Sequence, residues 1–287
     1  MAALVKRNLL LYFRNRSGVF FSLLGAMISF VLYIIFLKKS MLSNWQQVAD
    51  SQQLLDLWLI GGTLSVTAIT TTFTSLGQLV KDKERGVIQD FYLTALSHFK
   101  IKISYMLSAA LIGFLMQLMM LILMMGYFAI VDKLVIQWRI IPLFCVVSLL
   151  SAVLAVVINM LFVQFINRVD SLGSLGTVIG TASGFLVGTY VPIGSLPHFA
   201  QLLVKLTPGA YIAAIYRQMF MTDKLRNIFG NQRSYFESFL GVKLKWVGLL
   251  SGFQTIQLVI IILIIGILML FLINSSEEKS AKTSYLK

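Results

Sequence analysis

Residues 104–131 read SYMLSAALIGFLMQLMMLILMMGYFAIV, 28 positions without one Asp, Glu, Lys or Arg. A helix rises about 1.5 Å per residue, so this run is long enough to cross roughly 30 Å of hydrocarbon. Working outward from it, five more charge-free apolar runs occur, at 17–37, 57–80, 140–167, 172–191 and 246–274. The whole chain follows the same pattern. Hydrophobic residues make up 58% of its 287 positions and charged residues 12%, against about 45–50% and about 25% in soluble domains. Mean hydropathy is +0.85. This composition excludes a disordered chain and argues against a soluble globular enzyme. The expected fold class is an all-α membrane protein with six transmembrane helices.

Six spans place both termini on one side of the membrane. The run at 17–37 exceeds the usual 7–15 residues of a signal-peptide core, and Lys38-Lys39 follows it where small residues would mark a cleavage site. It therefore reads as an uncleaved first helix. Cytoplasmic termini put thirteen Lys and Arg inside and eleven outside. The decisive segments flank the first two spans. Four basic residues precede the first and five follow the second, against two between them. The positive-inside rule then makes both termini cytoplasmic. The single domain covers 1–274, with a cytoplasmic interfacial segment at 1–16, a cytoplasmic loop at 81–103, an extracellular region at 192–245 and a cytoplasmic tail at 275–287. The net charge of +13 sits between apolar runs, which points to anionic membrane lipid as partner and not to nucleic acid.

Several chemistries lack their residues. His98 and His198 lie outside the spans and far apart, no H-E-x-x-H occurs, and the lone Cys145 permits neither an internal disulfide nor C-x-x-C. No Gly is followed by Lys, so the phosphate loop G-x-x-x-x-G-K-[ST] is absent. No catalytic or metal-ligating residue is assigned. The spans carry no ionisable group of the kind ion-coupled pumps use at membrane depth. Their polar residues, Gln117, Asn159, Gln164, Gln254 and Gln257, read as interhelical hydrogen-bond formers.

Three segments stand out. The loop from Lys81 to Lys102 has charged ends around Val87, Ile88, Phe91, Tyr92 and Ala95, spaced to form one apolar face of a helix. Such a helix fits lipid or a partner's groove equally well. The fifth span carries Gly176, Gly180, Gly184 and Gly188 at four-residue spacing, a small-residue stripe that suits close helix approach. The second carries Thr67, Thr70, Thr71 and Thr74 among other small residues, whose hydroxyls can bond their own helix carbonyls. These two spans are candidates for a dimer seam or a path wall. On that reading, leucine at Gly180 or Gly184 blocks assembly or transport. In 192–245, Pro192, Pro197 and Pro208 punctuate two short amphipathic helices. Thr207 then serves as N-cap and Pro208 as first helical residue. The pair reads as a re-entrant hairpin before the sixth span, followed by a polar, basic, solvated loop over 222–245.

Taken together, these segments resemble the membrane subunit of ABC exporters of the type-2 permease family. One match is Lys83-Glu-Arg-Gly-Val-Ile-Gln-Asp-Phe-Tyr-Leu-Thr-Ala-Leu-Ser, with Ala95 where Pro is common. The other is Tyr190-Val-Pro-Ile-Gly-Ser-Leu-Pro-His-Phe-Ala with Leu206-Thr-Pro-Gly-Ala-Tyr and Arg217. The resemblance covers nearly the whole chain. It implies a permease subunit that pairs with a second permease, identical or different. Separate ABC ATPase subunits would bind the ATP and Mg, leaving no cofactor in this chain. It also implies that the helix over 84–96 is a coupling helix, with Glu84, Arg85, Gly86, Gln89, Asp90 and Tyr92 at the ATPase contact. The expected setting is a bacterial plasma membrane. The uncharged, hydroxyl-rich wall suits export of an amphipathic or lipid-like cargo (drug, lipid, peptide or glycolipid) by alternating access. The alternatives are an ATP-independent secondary transporter or channel, and a non-transporting membrane scaffold.

Overall fold

A computed structural model describes residues 1–45, 50–94, 96–135 and 138–284. Among them, regular structure is helical throughout apart from one isolated bridge between Lys245 and Leu249. Helix α1 (Ala2–Arg14) precedes α2 (Arg16–Leu32), with the Asn15 side chain accepting the Gly18 N–H at 3.0 Å between them. A π-helical turn (Tyr33–Leu37) leads into α3 (Lys38–Asn44), and α4 (Ser51–Glu84) returns. Gly86, at φ +75°, lets the chain turn into the short α5 (Val87–Tyr92). Then follow α6 (His98–Val131), α7 (Ile141–Val163) and α8 (Val169–Leu186). An elbow of α9 (His198–Leu206) and α10 (Pro208–Phe229), bent by 89°, leads to α11 (Arg233–Phe239) and α12 (Gly252–Ser284).

Side-chain contacts fix which helix ends lie together. Arg7 meets Asp82, Lys83 donates to the Gln164 carbonyl, and Lys102 donates to Asn274. These gather α1, the α4–α5 junction, the α7–α8 turn and the later part of α12 at one end, called here the α5 end. At the opposite end, Lys38 meets both Asp56 and Asp132, and Lys224 donates to Gln53. The chain thus makes six traverses of the bundle, and both described termini belong to the α5 end.

Helix α4 is the axis. Residues of its most apolar stretch are 94% buried, against 11% for α12. α4 packs against α2, α6, α7, α8 and α10. A helix surrounded on all sides needs small side chains where neighbours come close. Gly61 and Gly62 lie against α10, and a Cβ on Gly61 would come to 2.9 Å from Arg217 Cγ. The threonines from Thr67 onward are neutralised within α4 itself: Thr67 donates to Thr63 O at 2.8 Å and Thr71 to Thr67 O at 2.6 Å. Two of the five polar span residues bridge helices. Gln117 of α6 donates to Ser148 O of α7 and accepts from Tyr216 of α10, while Asn159 of α7 donates to Ile69 O and Thr72 of α4. Gln164 bonds its own Leu161 carbonyl, and Gln254 accepts the Ser251 N–H at the start of α12.

The structure corrects several boundaries. Among the described residues, five helices are long and apolar enough to span, six if the bent α9–α10 pair counts as one, and α8 is not among them. Its 18 residues reach about 27 Å, and its glycines and hydroxyls dilute its apolarity. The helix ends at Leu186, before Gly188 turns the chain at φ +66°. α7 stops at Val163 and α12 begins at Gly252, after a turn over 246–251. The stretch 222–245 is not a solvated loop: α10 runs on to Phe229, α11 follows, and Leu240, Val242 and Leu244 are buried. Its basic residues mask an apolar alternation that tucks back over Trp58, whose indole donates to Leu240 O at 2.7 Å. α10 is neither short nor one-faced. It begins beside Ile69, where Ser65 donates to Gly209 O at 2.8 Å, and climbs to Gln53. The elbow therefore reaches the middle of α4. The polar tail continues α12 from 275 to Ser284; residues 285–287 lie outside the described residues.

A Cβ on Gly113 of α6 would come to 2.5 Å from the Thr72 methyl and 3.3 Å from Ala152 Cβ, whereas one on Gly126 meets nothing within 4 Å. Gly113→Leu is expected to cost at least about 1–3 kcal/mol by overpacking and to lower the melting temperature in detergent. Gly126→Leu is expected to leave it within a degree or two. Equal melting temperatures for both variants would remove the close-packing account of α4.

Candidate functional site

Helix α8 rests on α4 beside α2, and the small side chains at this junction leave a groove of about 720 Å³. Its apolar wall comes from α2 with Phe21, Leu24 and Ile28. Its floor is Thr70, Thr74 and Gly77 of α4, and its opposite wall is Gly173, Gly176, Thr177 and Gly180 of α8. The two walls come close where a Cβ on Gly25 would lie 3.2 Å from the Gly180 carbonyl oxygen. Thr74, Thr177 and Thr181 donate to carbonyls four residues back at 2.9–3.1 Å, leaving their oxygens able to accept only. Lys81 stands at the α5 end of the groove, and no carboxylate lines it among the described residues. The site offers apolar surface and weak acceptors, which suits noncovalent passage or binding. Groups of three or more His, Cys, Asp or Glu able to hold a metal are absent among the described residues.

The sequence-derived wall residues divide. Thr70, Thr74, Gly176 and Gly180 line the groove. Thr67 and Thr71 do not: both are fully buried and point into the bundle. The glycine stripe is also broken. Gly176 packs under Phe73 and Gly180 faces open space, but Gly184 lies under the Tyr190 ring, which folds back over it. Gly188 lies past the end of α8. Uniform spacing hid this because the helix ends between Gly184 and Gly188. Pro192 opens a 3-10 turn, Pro197 caps α9, and Pro208 is the first residue of α10 after Thr207, as the spacing predicts.

At the α5 end, the helix expected over 84–96 is limited to Val87–Tyr92. Gly86 breaks it before, and a turn at Leu93 and Thr94 ends it; Ala95 lies outside the described residues. Ile88 is buried, while Arg85, Gln89 and Asp90 are exposed. The Tyr92 ring lies against His98 with centroids 3.9 Å apart. Glu84 is engaged within the chain, accepting the Val169 N–H at 3.3 Å where α8 begins. An acidic group there also suits the positive end of that helix.

Asp82 and Arg7 are functional candidates that the sequence reading missed. Asp82 is buried and accepts from Arg7 at 2.8 and 3.0 Å, from Tyr105 at 2.5 Å and from Gln78 at 2.9 Å. Arg7 also lies 5.4 Å from the Phe91 ring centroid of α5. One carboxylate thus ties α1, α4 and α6 together, and through Arg7 reaches α5. Its hydrogen bonds hold the Arg7 guanidinium above its ordinary pKa. Burial pushes the Tyr12 phenol of α1 up to about 12. The available signal was the Gln78–Asp82 spacing, which puts two polar groups on one face of an otherwise apolar helix.

Arg217, one of the eleven basic residues that cytoplasmic termini would place outside, is fully buried in α10. It donates to the Gly188 carbonyl at 2.7 Å, to Trp58 O at 3.3 Å and to Gly241 O at 3.4 Å, and lies 5.1 Å from the Trp58 ring centroid. Its partners are carbonyls from α4, the end of α8 and the segment after α11. No sequence pattern separates such an arginine from a solvated one.

The two central glycines of α8 now have different expected behaviour. Leucine at Gly180 enters open groove, so Gly180→Leu should leave the melting temperature nearly unchanged and abolish transport. Gly184→Leu collides with the Tyr190 ring and should lose folded protein on size-exclusion chromatography. Full transport by a well-folded Gly180→Leu variant would remove the groove from the mechanism.

The family model described as ABC-2 type transporter matches residues 1–221. No curated protein and no solved structure matches the chain. The matched part runs from α1 through the groove and the elbow into α10, including Arg7, Asp82, Thr74, Gly180 and Arg217. A family match over most of the chain, with helices long and apolar enough to cross a bilayer several times, places this protein in the ABC-2 type transporter membrane family, as a multi-pass transport component that is not itself a catalyst.

Proposed function

We propose that this chain is the permease subunit of an ATP-driven exporter and that α5 receives motion from a separate ATPase. The observation that carries the reading is the grip of the α4–α5 junction on α8. Glu84 holds the Val169 N–H, and the neighbouring Lys83 donates to Gln164 O at 2.9 Å. α8 in turn forms one wall of the groove. A displacement of α5 therefore reaches the groove wall through Glu84, while Lys83 ties the same junction to the end of α7. The Arg7–Asp82 pair and the Arg7–Phe91 contact bring α1 along with it.

On this reading the α5 end is cytoplasmic, in keeping with the basic residues beside the first two spans. Two ATPase subunits bind ATP and Mg and dock against the exposed Arg85, Gln89 and Asp90. A second permease, identical or different, faces the groove, and the path runs between the two. ATP binding draws the ATPases together, α5 moves as a short lever, and α8 shifts against α2 to exchange inward for outward access. The uncharged, hydroxyl-rich wall favours an amphipathic or lipid-like cargo, moved outward across a bacterial plasma membrane. The elbow, reaching the middle of α4 from the opposite end, dips into the outer leaflet.

The test is purification of a tagged copy from its native membrane in mild detergent, with mass spectrometry of what accompanies it. A stoichiometric ATPase bearing the phosphate loop this chain lacks is the expected companion. The triple variant Arg85→Ala, Gln89→Ala, Asp90→Ala should lose it by tenfold or more, with an unchanged melting temperature for the permease. Repeated recovery of the chain with no ATPase, in an intact oligomer, would overturn the proposal and favour an ATP-independent transporter.

A further inference from the structure

The side of α8 turned away from the groove borders a second cavity, of about 320 Å³, closed by α7, α4 and the elbow. Ile179 lines both cavities, so α8 is a partition one helix thick. Three features define what this second cavity accepts. Its lining is aliphatic, with Ala68 and Ile69 of α4, Leu154 and Ala155 of α7, and Ala182 and Leu186 of α8. Four of its five polar side chains already donate to the protein. Ser65 donates to Gly209 O, the Asn159 amide to Ile69 O and Thr72, Ser183 to Gly180 O at 3.1 Å, and Thr207 to Leu203 O at 3.0 Å. A polar ligand would find no free donor from these four groups.

The third feature is depth. The α4 residues on the lining, Ser65, Ala68 and Ile69, sit at the middle of a helix of 34 residues, about 51 Å long. The cavity therefore lies at the level of the hydrocarbon. Its rim carries Phe162, Val178 and Leu206, which are 54%, 60% and 64% exposed. Its volume is at the small end of ligand pockets, roughly 300–1,000 Å³. That admits the inner part of a single acyl chain and excludes a whole lipid.

We infer that this cavity holds one acyl chain of a bilayer phospholipid, inserted from the side between α7 and α8 beneath the elbow. The chain packs the back of α8, whose other face is the groove wall with Gly176 and Gly180. Position of the groove wall then depends on occupancy behind it. This inference does not require the exporter reading, since it needs neither an ATPase nor cargo.

The test uses the full chain in vesicles of phosphatidylethanolamine and phosphatidylglycerol doped with a photoactivatable phosphatidylglycerol, with cross-linked peptides mapped by mass spectrometry. A diazirine in the middle of the acyl chain should label the stretch around Val178 and Ala182 at least fivefold more than a diazirine on the headgroup. The filled variant Ala155→Leu, Ala182→Leu should lose that labelling at least fivefold. Labelling of the exposed α12 face around Ile264 and Leu268 should persist. Equal labelling by the chain and headgroup probes in the unaltered protein would overturn the inference, and that arm needs no variant to fold. So would labelling undiminished in a folded filled variant. A disulfide between two copies of Val178→Cys, in a Cys145→Ser background, would also overturn it by showing that protein covers the rim.

Discussion

The interaction on which the rest of this structure depends is the burial of α4 on every side at membrane depth. Lipid gives no hydrophobic reason for apolar helices to associate, so contact between backbones and the pairing of polar groups must hold them together. α4 supplies both. Gly61, Gly62 and Gly77 admit α10 and α8, and Thr72 meets Gly113 of α6 and Asn159 of α7. Thr67, Thr70, Thr71, Thr72 and Thr74 are tolerated in an apolar setting because each donates to its own helix. Larger residues at these positions would push the neighbours outward and close the groove between α2 and α8.

Charge is confined to the two ends of this axis, and each end performs a different task. At the α5 end, Asp82 is held by Arg7, Tyr105 and Gln78, so α1 and α6 are fixed to the helix that leads into α5. Removing Arg7 leaves the buried Asp82 charge without its cation, which is the costly outcome. At the opposite end, Arg217 gathers carbonyls from α4, the end of α8 and the segment after α11. Helix carbonyls carry partial negative charge at a C-terminus, so a cation is a suitable stop for α8. α8 is thus held at its first residue by Glu84 and just beyond its last by Arg217. Between them it borders two cavities.

The all-helical, multi-span class was legible because long charge-free runs have few readings, whereas the run at 172–191, diluted by glycine and hydroxyl residues, forms a helix that falls short of a span by length and composition. The prolines of the elbow were legible too, since Thr207-Pro208 is a local helix-start signal. What failed was whatever depended on which face of a helix meets which neighbour. Gly176, Gly180, Gly184 and Gly188 share one spacing, yet only tertiary context shows that Tyr190 fills the third position and that the helix has ended before the fourth. Thr67 and Thr71 look like Thr70 and Thr74 in sequence but face α4's buried side. The stretch 222–245 read as solvated because it is basic. Its apolar members Leu240, Val242 and Leu244 fold back onto Trp58 and α10, a long-range contact that no local pattern encodes.

The central claim is that motion received at α5 moves α8 against α2. Spin labels at Leu24→Cys and Thr181→Cys, in a Cys145→Ser background, report the width of the groove in lipid nanodiscs with the ATPase bound. The account predicts a distance distribution that shifts by several ångströms on addition of a non-hydrolysable ATP analogue, and no shift when Glu84→Ala releases the start of α8 and Lys83→Ala the end of α7. An unchanged distribution in a complex that hydrolyses ATP and transports cargo would contradict it.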